Sequence, residues 1–396
     1  MPGFKFGIAE NTIQKYKKIV QKITIRCLLN LPLGGLMLKK NAHKFFALLL
    51  VSLFVPFSVQ ATPQERSDLQ REKLLHLFSG EWISRGIYVA AKLDIPDLLD
   101  SGPKSIEELA AHTSSDTDSL YRLMHMLAGH SIFHESDHRI FTNTHESSLL
   151  TKNHPDSLHS LCLFYGEDIH QAWDALLPSI QQGIPAFQLT FNQPVFSYFK
   201  NNPLRAALFQ NAMKEKSQAV IKSTLSAFDF TPYSKIYDIG GGQGQFLKAL
   251  LKSHPHTAAT LFELPEVIHK LPIEGQNIAL YSGDFFAEVP QDGDLYILKS
   301  VLHDWDDARA VQILQNCHKA MNENSRLLII EVVLQDGAQS LYANSMDLLM
   351  LAITGGKERT LSSFKDMLHK SNLTLEKVHP TTTEFSIIEV KKQDNS

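Results

Sequence analysis

After Pro232 the chain alternates short apolar runs with amphipathic ones, an order that leaves few architectures open. Lys235–Ile239, Ala258–Phe262, Ile278–Tyr281, Leu295–Leu298 and Arg326–Leu334 read as strands, with helices at Gln245–Lys252 and about Ala308–Met321. Strands that alternate with helices predict an α/β fold, a Rossmann-like and mostly parallel sheet covered on both faces. A helix near Ser362–Lys370 and two strands, Thr374–Val378 and Glu384–Lys391, close the chain. The short link between those last strands predicts an antiparallel hairpin at the sheet edge.

The first half differs. Leu74, Leu75, Leu77 and Phe78 begin an apolar face that Trp82, Ile83, Ile87 and Ala90 continue at helical spacing. Ser105 followed three residues later by Glu108 has the order of a capping box and predicts a second helix. A third spans Ser115–Ala128, and Ile132-Phe133 with Ile140–Thr142 read as a short hairpin. Three helices and a two-stranded wing make an α-helical, winged-helix-like domain over 68–160. Such domains commonly bind DNA, but the third helix offers only Arg122 as a base-reading cation, and packing or dimerisation is the expected role. Residues 161–396 are expected to be a helical linker, rich in aromatics, followed by the sheet domain. Most of those aromatics read as core, and which of them wall a ligand is left open.

Bulk numbers narrow the partners. A net charge of −4 and no basic stripe give nucleic acid little support. Cys27, Cys162 and Cys317 stand alone, without the spacing of a disulfide scaffold or a zinc ribbon, and no metal is expected. Met37-Leu38-Lys39-Lys40, the apolar run Phe45–Phe57 and Ser58–Ala61 have the basic, apolar, small-residue order of a signal peptide over 37–61. The run falls short of the ~20 apolar residues of a stable membrane span. Residues 1–36 form an unassigned extension. The leader predicts an exported protein, periplasmic or secreted; a protein that does not use it stays in the cytoplasm.

The chemistry gathers at the strand tips. Tyr237-Asp238-Ile239-Gly240-Gly241-Gly242-Gln243-Gly244 ends a strand and opens a helix, and its glycines let a ligand approach the backbone. The spacing Gly240-x-Gly242-x-x-Gln245 lacks the third glycine of dinucleotide dehydrogenases. Asp238 would repel a pyrophosphate and suit a cation. Glu263 ends the next strand, about 25 residues on, where an acid can accept from both ribose hydroxyls. Asp284 ends the third and could accept from an adenine amino group, with Phe285 packed on the ring. Together the three acids describe a pocket for an adenosyl group without phosphates.

The fourth strand runs into Lys299-Ser300-Val301-Leu302-His303-Asp304-Trp305. Glu331 lies inside the apolar run of the fifth, where a charge costs several kcal/mol unless paired. An imidazole N–H is its simplest partner, and that pair would hold His303 in one tautomer as a general base.

These segments, with Leu302-His303-Asp304-Trp305 and Gly355-Gly356-Lys357-Glu358-Arg359-Thr360, resemble the plant-type and acetylserotonin-type O-methyltransferases and their bacterial relatives. The first half, through Tyr88–Ile95 and Leu120–Met124, is similar to that family's dimerisation domain, so the likeness spans about residues 70–390. The resemblance implies a class I methyltransferase sheet, S-adenosylmethionine as cofactor, a homodimer and a small aromatic hydroxyl as acceptor. It places Gly240, Gly242, Glu263, Asp284, Phe285 and Lys299, with Asp238, at the cofactor. His303 falls on the base, Glu331 and Glu358 on the acids flanking it, and Asp304 beside the acceptor. The ribose acid, commonly Asp in the family, is here Glu263. Two rivals stand beside this reading. One is a nicotinamide-dependent oxidoreductase; the other is a protein of this fold with a different reaction or a non-catalytic role.

Overall fold

The computed structural model describes residues 63–271, 277–335, 337 and 340–393. The expected leader, 37–61, and the extension before it lie outside the described residues. Contacts divide the chain into two compact units, Met1–Leu74 and Leu75–Ser396. The described part of the first is helical from Pro63, where α1 (Pro63–Lys92) begins.

In the second unit, α1 leads to α2 (Ile95–Asp100), α3 (Ile106–Thr113) and α4 (Thr117–Gly129). The capping box exists: the Glu108 N–H donates to Ser105 Oγ at 3.2 Å, and the Ser105 N–H to Glu108 Oε2 at 2.7 Å. Asp116 caps α4 by accepting from the Ser119 N–H at 2.9 Å. The wing has three strands rather than two, β1 (Lys104–Ser105), β2 (Phe133–Ser136) and β3 (Ile140–Asn143), in the order β1-β3-β2. A two-residue strand carries no periodicity, which is why β1 is silent in the sequence. Ile95, Ile106, Leu109, Met124, Phe133 and Phe141 form the core here. The expected apolar face of α1 is corrected in part. Leu75, Leu77, Phe78 and Trp82 lie on the surface of the single chain, and packing begins at Gly86, Ala90 and Ala91.

The linker contains α5 (His159–Phe164), continued by a π-helical turn at Tyr165–Ile169, several short helices, and α6 (Pro203–Ala227). Phe164, Phe187 and Phe199 sit in its core.

The sheet follows, built from β4 (Lys235–Ile239), β5 (Ala258–Glu263), β6 (Ile278–Ser282), β7 (Leu295–Lys299), β8 (Arg326–Leu334), β9 (Arg359–Thr360), β10 (Leu373–Pro380) and β11 (Phe385–Lys392). The order is β10-β11-β8-β7-β4-β5-β6, with β9 paired to β8. β4 to β8 run parallel, while β11 is antiparallel to both β8 and β10, the expected edge hairpin. Side chains alternate between the faces. Ile236, Leu261, Ile297, Leu328 and Ile330 point to one core, shared with Phe246, Leu247 and Leu250 of α7 (Gln245–Ser253). Tyr237, Phe262, Tyr296, Leu298 and Ile329 point to the other. That face is closed by α8 (Asp307–Ala320) and by Phe364, Met367 and Leu368 of α10 (Leu361–Lys370). Between β8 and β9 runs α9 (Leu341–Ile353), a helix absent from the sequence expectation. Among the described residues no helix is long and apolar enough to cross a membrane.

Candidate active site

The parallel strands end along one edge, and the ligand-facing residues stand there. Gly240 and Gly242 have φ of 70° and 57°, a conformation that strains any residue with a Cβ. The turn is pinned by the Gly240 N–H, which donates to the Phe262 carbonyl of β5 at 2.8 Å. Asp238 is fully buried just below, and neither of its carboxylate oxygens accepts a hydrogen bond from the protein. Burial pushes its pKa up to about 6, against the pull of the Lys299 ammonium. Lys299, at the end of β7, is itself pushed down by burial, with Asp238 and Glu331 opposing.

Glu263 ends β5 in register with Ser282 of β6. Desolvation raises its carboxyl to about 7, although the Leu264 N–H beside it pulls the other way. Asp284 follows β6 and accepts from the Phe286 N–H at 2.8 Å, a turn that aims Phe285 inward. The Phe285 and Phe286 rings meet Trp305 edge-on, at 6.2 and 4.7 Å between centroids. Acids at three adjacent strand tips, one buried with two unsatisfied oxygens, suit a ligand rich in N–H and O–H donors and carrying positive charge. S-adenosylmethionine fits that set.

His303 lies in a 3-10 turn, Leu302–Asp304, after β7. It is buried, and its Nδ1 is 2.9 Å from Glu358 Oε1 and 3.5 Å from Glu331 Oε2. The expected His303–Glu331 pairing is present as an ion pair, but the hydrogen bond on Nδ1 belongs to Glu358. Oε1 of Glu331 is committed to the backbone, accepting the Val301 and Leu302 N–H groups at 3.0 Å each. Its other oxygen stays outside good hydrogen-bond range of the ring. Burial works against a charged His303, but the Glu331 and Glu358 carboxylates outweigh it and raise the imidazole pKa. Burial also raises the Glu331 carboxyl, against the pull of His303. With Nδ1 engaged, Nε2 is the ring nitrogen left for a substrate proton. Asp304, also raised by burial, sits next in the chain.

The segment after α9 positions this pair; in the sequence only the family resemblance marks it. The Lys357 N–H donates to the His303 carbonyl at 2.9 Å. The Glu358 N–H donates to Asp347 Oδ1 of α9 at 2.9 Å. Arg359 is buried and donates to the Leu302 and Trp305 carbonyls, at 2.9 and 2.7 Å, and to Asp307 at 3.0 Å. Gly356 is packed so closely that a Cβ would lie 1.9 Å from the His303 carbonyl oxygen. Of the linker aromatics, Phe196 reaches this place, stacked on Trp305 at 5.5 Å. A capping or periodicity signal could have marked none of these, since each acts through a contact distant in sequence.

Family models match twice: an O-methyltransferase dimerisation domain over residues 75–153 and an O-methyltransferase domain over 173–373. A phenazine O-methyltransferase of Lysobacter antibioticus is 38% identical over 324 residues, 80% of this chain and 95% of that protein. A phenazine-1-carboxylate N-methyltransferase of Pseudomonas aeruginosa is 31% identical, over 77% of this chain and 92% of its own length. The crystal structure of human N-acetylserotonin methyltransferase in complex with S-adenosylmethionine superposes with a TM-score of 0.78 at 26% identity, covering 82% of this chain and 98% of that one. The chain belongs to the O-methyltransferase family and is an S-adenosylmethionine-dependent methyltransferase with the fold of that family.

Proposed function

We propose that the enzyme methylates a hydroxyl on a small aromatic molecule, with His303 as general base. The observation that carries this reading is the His303–Glu358 contact of 2.9 Å on Nδ1, which leaves Nε2 as the proton acceptor. S-adenosylmethionine, when bound, supplies a methyl group already activated by a sulfonium. The protein's own part is alignment and proton removal. Asp238, Gly240, Gly242, Glu263, Asp284, Phe285 and Lys299 would hold the cofactor at the strand tips. Nε2 of His303 takes the acceptor's O–H proton, and the imidazolium that forms is stabilised by Glu358 and Glu331. Asp304 and the stacked Phe196 and Trp305 rings border the acceptor.

One relative is named as an N-methyltransferase. A base is what distinguishes the two chemistries: a phenol must lose its proton to become a strong nucleophile, whereas an amine attacks through its lone pair. A buried imidazole held between two carboxylates favours the hydroxyl. Incubation with a labelled methyl donor and matched panels of phenols and heteroaromatic amines tests this, with His303→Ala alongside. Phenol turnover should fall by ~10²–10⁴-fold in the variant, while S-adenosylhomocysteine affinity stays within about three-fold. Full phenol turnover by His303→Ala, or turnover of amines alone, overturns the assignment.

The family's dimerisation model covers Leu75–Trp82, where four large apolar side chains are exposed. That stripe supports a homodimer. Lys39 to Ala61 supports export, and detection of the mature chain in the cytosol with Met37 attached would end that reading.

A further inference from the structure

Away from the sheet, Asp94, Asp97 and His159 each bring one ligand-capable atom to within 4.8 Å of the others. Asp94 turns the chain from α1 into α2 with φ of 56°, Asp97 lies in the first turn of α2, and His159 opens α5. His159 is buried, and its Nδ1 contacts the Leu150 carbonyl at 3.0 Å. Because a carbonyl only accepts, Nδ1 is the donor here, and Nε2 is the ring nitrogen left for a metal. This is the arrangement that orients metal-binding histidines. Asp97 Oδ1 accepts the Lys152 N–H at 3.0 Å, whereas its Oδ2 is buried without any partner. A buried carboxylate oxygen lacking a donor is costly, and a cation would remove the cost. Asp94 Oδ2 lies 2.6 Å from Lys152 Nζ, and both side chains are about half exposed, so this corner opens to solvent. Two carboxylates against one ammonium leave it net negative.

We propose that Asp94, Asp97 and His159 form a binding site for a divalent transition-metal cation, zinc above all. An imidazole nitrogen with two carboxylate oxygens suits zinc at bonds of ~2.0–2.2 Å, with water as fourth ligand, whereas magnesium and calcium favour all-oxygen shells. The ion displaces the Lys152 ammonium from Asp94, whose half-exposed side chain closes over it. Its effect is structural: it ties the start of α5 to the α1–α2 corner, pinning the helical first half to the linker that leads to the sheet.

The test uses the full chain, stripped with a chelator, desalted and titrated with zinc chloride by calorimetry. Bound zinc is counted after gel filtration. His303, Glu331 and Glu358 also bring donor atoms within 4.8 Å of one another, so the titration is repeated in His303→Ala. One equivalent should bind in both proteins and raise their Tm. Affinity should fall at least about ten-fold in His159→Gln, Asp97→Asn and Asp94→Asn, and the zinc-dependent rise in Tm should vanish. Asp94→Asn alters a half-exposed side chain, so the test stands even where His159→Gln fails to fold. Equal zinc uptake by the parent and all three variants, no uptake by His303→Ala, or a preference for magnesium over zinc overturns the proposal.

Discussion

Oε1 of Glu358 lies 2.9 Å from Nδ1 of His303, although 55 residues separate the two in the chain. The contact does more than orient the ring. Together with Glu331, it favours the imidazolium and keeps the free enzyme's base protonated to a higher pH than an ordinary histidine. The kcat/KM profile should therefore rise with pH through an apparent pKa above ~6.5. Glu358→Gln removes one carboxylate, so the rising limb should move to lower pH while the plateau rate drops. An unshifted limb in this variant would show that Glu358 does not set the base's charge.

Asp238 predicts a pH dependence of stability. Its folded pKa is about 6, above the ~3.9 of an unfolded chain, so between these values the native state binds more protons. The cofactor-free protein should thus lose stability as pH rises from about 4 through about 6, by on the order of 3 kcal/mol from this group. Asp238→Asn should abolish that component and raise the Tm at pH 8 relative to the parent. It should also weaken S-adenosylhomocysteine binding at least ~10-fold. Parallel Tm-against-pH curves for the two proteins would refute the account.

Gly356 tests how closely the last loop packs on the base. A Cβ there would lie 1.9 Å from a backbone oxygen, and backbone yields less readily than a side chain tip. Gly356→Ala should lower the Tm by several degrees and cut kcat by at least ~10-fold, with cofactor affinity less affected. Gly129, where a Cβ meets nothing within 4 Å, is the control, and its Ala variant should keep the parent's kcat.

Phe78 and Trp82 are 63% and 67% exposed on one chain. If they lie in the homodimer interface, Phe78→Glu with Trp82→Glu places charges in an apolar contact. Light scattering should then report a monomer where the parent is a dimer. A dimer that survives both changes would move the interface elsewhere.

The parallel strands were legible because each is a short apolar run, and β4, β5 and β6 also end at a glycine or an acid. β4 and β8 fall on the expected residues, Lys235–Ile239 and Arg326–Leu334. The acids and glycines of the site were legible for the same reason: topology places strand ends at a common edge, so position along a strand becomes position in space. α9 was not, because Leu348-Leu349-Met350-Leu351-Ala352-Ile353 is apolar without a 3.6-residue period. Nor was the exposure of Leu75, Leu77, Phe78 and Trp82, since an apolar stripe looks the same whether its cover comes from its own chain or another.

Local order, then, was enough to specify the sheet, its glycine turn and the residue types gathered around them. Which carboxylate meets the imidazole was settled only by folding. Glu331 is nearer in sequence and inside the sheet, yet two backbone amides claim one of its oxygens. Glu358 is brought to His303 by α9, by Asp347 and by the close approach of Gly356. Hydrogen bonds depend on separations of a few tenths of an ångström, and no pattern along a chain carries that information across 55 residues.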